Sequence, residues 1–345
     1  MNILITGNMG YVGSQLVKHL KSINKKNKLY GYDTGYFANN CTNDDNLPEV
    51  ILDTQFYGDI RKINKNFLKK IDTVIHLSAI SNDPMGKSFS KQTKSINLNS
   101  SINLAIIASK IGVKHFIFAS SCSMYGDGGE RPKKETDELN PLTEYAKSKI
   151  DFEKFMFKSN LGKMKFTSLR FATACGMSDR LRLDLVLNDF VASAIYKNKI
   201  EILSNGQPWR PLIDVSDMCR SIEWAIKRKD NSKKLAINVG QKKNNYKIID
   251  LAKEVQKIFP KVKITVNKKA PNDLRSYAVD FSLYKKLAPN HQPIMTIKKS
   301  ILRLKDGLKS YNPQTTEFRQ SNLMRLKSLE YLIKKNKIDK NLFWK

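Results

Sequence analysis

Residues 2–13 read NILITGNMGYVG. A short apolar run, Asn2–Thr6, ends in small residues and passes directly into Gly7, Gly10 and Gly13. Ser14–Lys21 then has helical spacing, with Leu16, Val17 and Leu20 apolar. A strand, a glycine turn and a helix start form a phosphate-binding unit. Glycines permit a tight turn and let a pyrophosphate approach the backbone. The free N–H groups and partial positive charge of the helix N-terminus face the phosphates. Asp33 follows a second apolar run, Leu29–Tyr32, and stands twenty residues after Gly13. A carboxylate there accepts both ribose hydroxyls and repels a 2′-phosphate, so NAD is expected rather than NADP. Asp59 and Ile60, in YGDIRK, are placed to meet the adenine in folds of this kind.

Further strands are expected at Thr73–Leu77 (TVIHL), His115–Ala119 (HFIFA) and Phe166–Phe171 (FTSLRF), with a helix over Ile96–Ile111. Strands alternating with helices predict an α/β fold, a Rossmann-type doubly wound parallel sheet covered on both faces. After about residue 175 the rhythm changes. An amphipathic stretch covers Leu183–Tyr196, short strands are expected at Ile200–Leu203, Pro211–Val215 and Lys263–Val266, and helices at Ser216–Lys227 and Ile248–Phe259. Residues 1–175 therefore read as the NAD-binding core, with later segments returning to it. Residues 176–315 read as a smaller mixed α/β substrate-binding part, and 316–345 as a basic, partly helical tail.

The chain has 345 residues, 41% of them hydrophobic, enough to bury a sizeable core. The formal net charge of +29 could signal nucleic acid or an anionic membrane surface. The basic residues are spread along the chain, however, with no block interleaved with aromatics, and the reading adopted is a generally basic surface. No stretch approaches eighteen apolar residues, and MNILITG has no basic n-region or cleavage pattern. The four cysteines form no CxxC pair. A reduced cytoplasmic protein with no metal site is expected.

The second decisive stretch is Ser120–Lys149, SSCSMYG followed later by YAKSK. Tyr145 and Lys149 are four residues apart, so on a helix they share one face. An ammonium beside a phenol favours the phenolate and lowers its pKa from about 10. Such a phenol can take a proton from a hydroxyl as hydride leaves the same carbon.

Together these motifs resemble the extended short-chain dehydrogenase/reductase family, which contains the nucleotide-sugar epimerases and dehydratases. The resemblance covers roughly residues 1–310. It rests on GNMGYVG, Asp33, GDI, HLSA (His76–Ala79), Asn97, SSCSMYG, YAKSK, LRFATACG and GQPWRPLIDVSDM, in that order. It implies that Gly7, Gly10, Tyr11, Val12 and Gly13, then Asp33, Asp59 and Ile60, then Leu77, Ala79 and Asn97, hold the cofactor together with Tyr145 and Lys149. It implies a catalytic set of Ser121, Tyr145 and Lys149, with Ser121 holding the substrate oxygen and Ser123 as a second contact. Arg210 and Arg275 match family arginines that meet a substrate diphosphate. Guanidinium forks pair well with phosphate oxygens. Arg180 and Arg182 are expected to add to the pocket. Thr173 stands where many 4-epimerases have an asparagine against the substrate.

The resemblance also narrows the reaction. The 4,6-dehydratases of the family carry an acid just after the catalytic hydroxyl. Here those positions are Cys122 and Ser123, so 4,6-dehydration is disfavoured. The Ser-Ser-Cys setting resembles that of GDP-fucose synthases, but it continues Ser-Met-Tyr-Gly rather than Ile-Tyr-Pro. A small buried cysteine is the reading adopted. The function implied is an NAD-dependent nucleotide-sugar epimerase oxidising the sugar transiently at C4, acting as a homodimer through helices near Ile96–Ile111 and Tyr145–Asn160. The alternatives are a nucleotide-sugar 4-ketoreductase or 4-dehydrogenase with the same residues, and a non-catalytic NAD- or RNA-binding scaffold.

Overall fold

The structure is a computed structural model, described over residues 1–42, 47–129, 131–267, 275–311 and 317–345. Its strands are β1 (Asn2–Thr6), β2 (Lys28–Asp33), β3 (Thr54–Tyr57), β4 (Thr73–His76), β5 (His115–Ser121), β6 (Lys165–Phe171), β7 (Thr173–Cys175), β8 (Lys199–Ile202), β9 (Trp209–Asp214), β10 (Lys234–Val239), β11 (Asn245–Lys247) and β12 (Lys263–Val266). The longer helices are α1 (Tyr11–Ile23), α2 (Ser100–Lys110), α3 (Glu144–Lys158), α4 (Val186–Lys197), α5 (Val215–Lys227), α6 (Ile248–Ile258), α7 (Ile297–Tyr311) and α8 (Arg325–Lys334).

Seven strands form one parallel sheet in the order β10-β6-β5-β4-β1-β2-β3. Its central strands alternate between two apolar clusters. Ile3, Ile5, Ile75 and Ile117 enter one with Leu16, Val17 and Leu20 of α1 and Cys219 and Ile222 of α5. Leu4, Val74, Phe116 and Phe118 enter the other with Leu104 and Ala108 of α2 and Phe152 and Met156 of α3. A sheet buried on both faces explains why these strands read as continuous apolar runs. β10 lies far beyond residue 175, yet it pairs with β6 as an outer strand. A third cluster joins α4, α6 and α7 with Leu212 of β9, and β8 pairs with β12 beside it.

Chain order reverses between β1 and β4, the neighbours at the middle of the sheet. A crevice opens past the carboxyl ends of strands at such a point. The buried ion pair between Arg170 of β6 and Glu153 of α3, at 2.7 Å, ties α3 to the sheet. The last part of the chain also joins the sheet's core: Leu329, Leu332, Ile338 and Leu342 pack in the cluster with Leu4 and Phe116. Among the described residues, no helix is long and apolar enough to cross a membrane.

Candidate active site

The ends of β1, β2, β4 and β5 open into one cavity of about 940 Å³, at the upper end of the usual size for a ligand site. One side of it is the glycine loop. Gly7 has φ of +77°, and a Cβ on it would lie 2.7 Å from the Ser78 nitrogen. A Cβ on Gly13 would lie 2.3 Å from the Gly7 carbonyl oxygen. No side chain can be added at either position without moving backbone. Gly10 caps α1 and has no side chain to bond the first-turn N–H groups, and no acidic residue stands there. The helix start thus presents open N–H groups, as a cradle for an anionic pyrophosphate requires.

Asp33 lies on the same wall. Its carboxylate accepts from Met9 N at 3.1 Å and Gly35 N at 2.8 Å, and burial raises its pKa despite those bonds. Its orientation is therefore fixed, with acceptor capacity left over. Tyr11, Val12, Asp59, Ile60, Leu77 and Ala79 all line the cavity. The Asp59 carboxylate is already engaged by the Arg61 main chain and guanidinium. Asn97 lies behind the wall. Its amide accepts from Ile80 N at 2.8 Å and donates to Ile80 O at 2.9 Å, holding the loop after β4 in place. These residues fit a dinucleotide lying over the start of α1.

The expected catalytic set comes together on the next wall. Thr143 caps α3 by accepting from Ala146 N, so Tyr145 sits in the first turn and Lys149 one turn further on. The Lys149 Nζ lies 5.6 Å from the centre of the Tyr145 ring and 4.4 Å from that of Phe118, and it donates to Ala119 O at 2.7 Å. Lys149 is 2% exposed. Burial lowers its pKa to about 7, opposed by the Glu153 carboxylate. Ser121 ends β5 and lines the same cavity, its Oγ accepting from Ser123 N. Ser120 and Ser123 also line it, and the buried Oγ of each has no partner among the described residues. A polar ligand would satisfy both hydroxyls.

Thr173, Arg210 and Arg275 are on the far wall. The Arg210 guanidinium donates to the carbonyls of Trp209 and Arg275, which fixes the two arginine segments to each other. Arg182 reaches the cavity but Arg180 does not. Arg182 is gripped by Asp184 at 2.9 Å and by Ser81 at 2.8 Å. Cys122 is fully buried and donates to Arg170 O, and burial pushes its thiol pKa far up. It is a core residue, as the sequence reading expects.

Sequence reasoning missed Ser120, the partners Asn82 and Asp184 beside the expected Arg182, and the contribution of the chain's end: Arg319, Met324 and Arg325 are all on the cavity wall. Ser120 was adjacent to a residue already singled out. The others are brought in by contacts across a hundred residues or more, which no local spacing announces.

A glycine loop at a helix start, a buried carboxylate at the end of β2 and a Ser-Tyr-Lys set thus line one cleft. The chain is 25% identical over 296 residues to UDP-glucuronic acid decarboxylase 6 of Arabidopsis thaliana, covering 83% of each chain. It is 30% identical over 184 residues to UDP-glucose 4-epimerase of Lacticaseibacillus casei, covering 51% of this chain and 52% of that one. The UDP-glucuronic acid 4-epimerase of Bacillus cereus, solved with UDP-glucuronic acid and NAD, superposes with a TM-score of 0.76 at 23% identity, covering 90% of this chain and 99% of that one. The sequence model of the NAD dependent epimerase/dehydratase family matches residues 3–240. With the glycine cradle, the parallel sheet and that match spanning more than half its length, the chain belongs to the NAD dependent epimerase/dehydratase family.

Proposed function

We propose that this chain is an epimerase of a nucleoside-diphosphate sugar, working through transient oxidation at sugar C4. The observation that carries the reading is the packing of the Lys149 amine against the Tyr145 ring, in the cavity that also holds Ser121, the glycine loop and Asp33. Bound NAD, held by Gly7–Gly13, Asp33 and Lys149, would supply the hydride acceptor and later the hydride donor. Ser121 Oγ orients the C4 oxygen. Tyr145, as phenolate, takes the C4 hydroxyl proton as the C4–H bond breaks, and the Lys149 ammonium favours that phenolate. Once the keto sugar has turned, Tyr145 returns the proton to the same oxygen. Cofactor and proton balance are restored, so there is no net redox.

Arg210 and Arg275 are assigned to the substrate diphosphate, and Ser123 and Thr173 to the sugar. Elimination of water needs an acid beside the reacting carbon. The positions next to Ser121 hold a thiol whose proton is given to a carbonyl and a hydroxyl, which supports epimerisation over 4,6-dehydration. Exposed Leu142, Ile106 of α2 and Phe157 of α3 support a homodimer packed through those two helices.

The test is incubation with UDP-, GDP-, CDP- and dTDP-sugars without added cofactor, with products read by NMR. The expected product is a C4 epimer, with no NAD(P)H consumed. Stoichiometric consumption of NAD(P)H would instead mark a net ketoreductase or dehydrogenase. Salt-sensitive nucleic acid binding without turnover would mark a scaffold. Light scattering after gel filtration checks the dimer.

A further inference from the structure

Two cations on the cavity wall are not used by the site described so far, Arg319, which is paired with Asp189, and Arg325. Arg325 is the first residue of α8, in the C-terminal segment, and it lines the cavity although only 2% exposed. Its guanidinium carbon lies 4.4 Å from the centre of the Phe37 ring. Nη2 donates to Arg180 O at 2.7 Å. The buried Nη1 has no partner among the described residues. Its neighbours each have a carboxylate, Arg182 in Asp184 and Arg180 in Glu49; Arg180 Nε and Nη1 also have no partner among the described residues, but Arg180 does not line the cavity. Among the described residues, Arg325 has no carboxylate within ion-pair distance.

We propose that Arg325 is a phosphate-binding residue of the dinucleotide site, its free Nη1 donating to the pyrophosphate of bound cofactor. A buried guanidinium N–H left unpaired is costly, and an anionic oxygen is the acceptor that offsets it best. Position selects the ligand. Arg325 packs on Phe37, four residues after Asp33, and bonds the carbonyl of Arg180, two residues before Arg182, so it joins the segments that carry those two side chains. Asp33 marks the adenosine ribose, and Arg182 is close enough to Tyr145 for their charges to interact, which marks the reacting end. The middle of a dinucleotide, its pyrophosphate, falls between them. Burial and the two neighbouring arginines pull the Arg325 pKa down to about 9, a strain that an added anion relieves. This inference rests on the cofactor placement proposed above.

The experiment titrates full-length protein with NAD, ADP-ribose, adenosine and UDP by calorimetry, for wild type, Arg325→Gln, Arg325→Lys and Asp33→Ala, with a thermal scan of each. Arg325→Gln is expected to weaken NAD and ADP-ribose binding alike, by about 10- to 100-fold, and to leave adenosine and UDP unchanged. Arg325→Lys should recover part of the loss. Unchanged NAD binding in Arg325→Gln overturns the assignment, as does a loss confined to UDP or an equal loss of adenosine. If Asp33→Ala weakens NAD while Arg325→Gln does not, only the arginine's role fails. If Asp33→Ala has no effect, the cofactor placement fails and Arg325 falls with it. Should Arg325→Gln not fold, Arg325→Lys carries the same comparison with ADP-ribose against adenosine. Every readout is binding, so the result stands whether or not the chain epimerises a sugar.

Discussion

Apart from the far wall of Thr173, Arg210 and Arg275, two walls of the cavity contrast. One is built from the first 150 residues, where each functional group sits at a fixed short distance in sequence from a glycine, a strand end or a helix cap. The other is built by the chain's end, where Arg319, Met324 and Arg325 arrive from residues whose spacing carries no motif. The first wall uses local geometry: Gly13 is needed because its Cβ would strike the Gly7 carbonyl only six residues earlier. The second uses burial. Leu329 and Leu332 enter the sheet's own apolar cluster, and that anchoring delivers Arg325 to the cavity. A motif can therefore locate the chemistry of a site without enclosing it.

The largest effect is expected on the first wall. Tyr145→Phe keeps the ring against Lys149 but removes the proton acceptor. Steady-state turnover should fall by about 10²–10⁴-fold, with melting temperature and NAD affinity retained. A variant with wild-type turnover would strip that wall of its chemical role and leave it only a binding surface.

A pair of substitutions then asks whether the second wall is as much part of the fold as the first. Leu104 of α2 and Leu329 of α8 are both 0% exposed and lie in the same apolar cluster. Leu104→Ala and Leu329→Ala should each cost about 2–5 kcal/mol in denaturant unfolding, with one transition and an unchanged m-value. A cost for Leu329→Ala well below that for Leu104→Ala, or an early separate transition, would show an end that melts independently.

This contrast also sets what was legible in the sequence. The β1–glycine–α1 unit, the alternating strands and the Tyr145/Lys149 pair could be read because each rests on interactions within one or two turns of chain. β3, with exposed Phe56 and Tyr57 at the sheet's edge, is too short and polar to stand out. β10, KLAINV, becomes a strand through its pairing with β6, about seventy residues earlier. α7 hides its apolar stripe of Ile297, Ile301, Leu304 and Leu308 among lysines. Leu183–Leu185 continues an apolar pattern, but the helix begins only at Val186, because Arg182 and Asp184 turn into the cavity. Asn97 matched a motif, yet its two bonds go to Ile80. Arg182 and Arg180 look equivalent in SDRLRLD, and only the packed fold sends one to the cavity and the other to Glu49.

A smaller effect separates function from stability at Lys149. Its pKa is about 7 in the fold against an ordinary 10.5. Below pH 7 it is charged in both states, and the fold bears the full cost of burying the ammonium. Between about 7 and 10.5 the unfolded chain holds a proton the fold lacks, so stability rises with pH across that window. Lys149→Met should therefore abolish turnover yet raise stability on the order of 2 kcal/mol below pH 7, with the gain fading towards pH 10.5. Thermal scans across pH would sink this if the gain proved flat, since a pH-independent gain would come from packing.

The smallest effect tests the last contact of the second wall. The Trp344 indole donates to Thr34 O at 2.6 Å, and its ring lies 5.9 Å from that of Tyr36. Trp344 is 46% exposed, so water can replace the lost bond. Trp344→Phe keeps an aromatic beside Tyr36 and removes the donor, and the expected cost is about 0.5–1 kcal/mol. That cost should appear as faster amide exchange in residues 336–345, while the global melt hardly moves, because Leu329 and Leu332 hold the segment upstream. A global loss matching that of Leu329→Ala would reverse the order of causes. The segment would then be pinned from its tip, and Arg325 would reach the cavity only because Trp344 closes behind it.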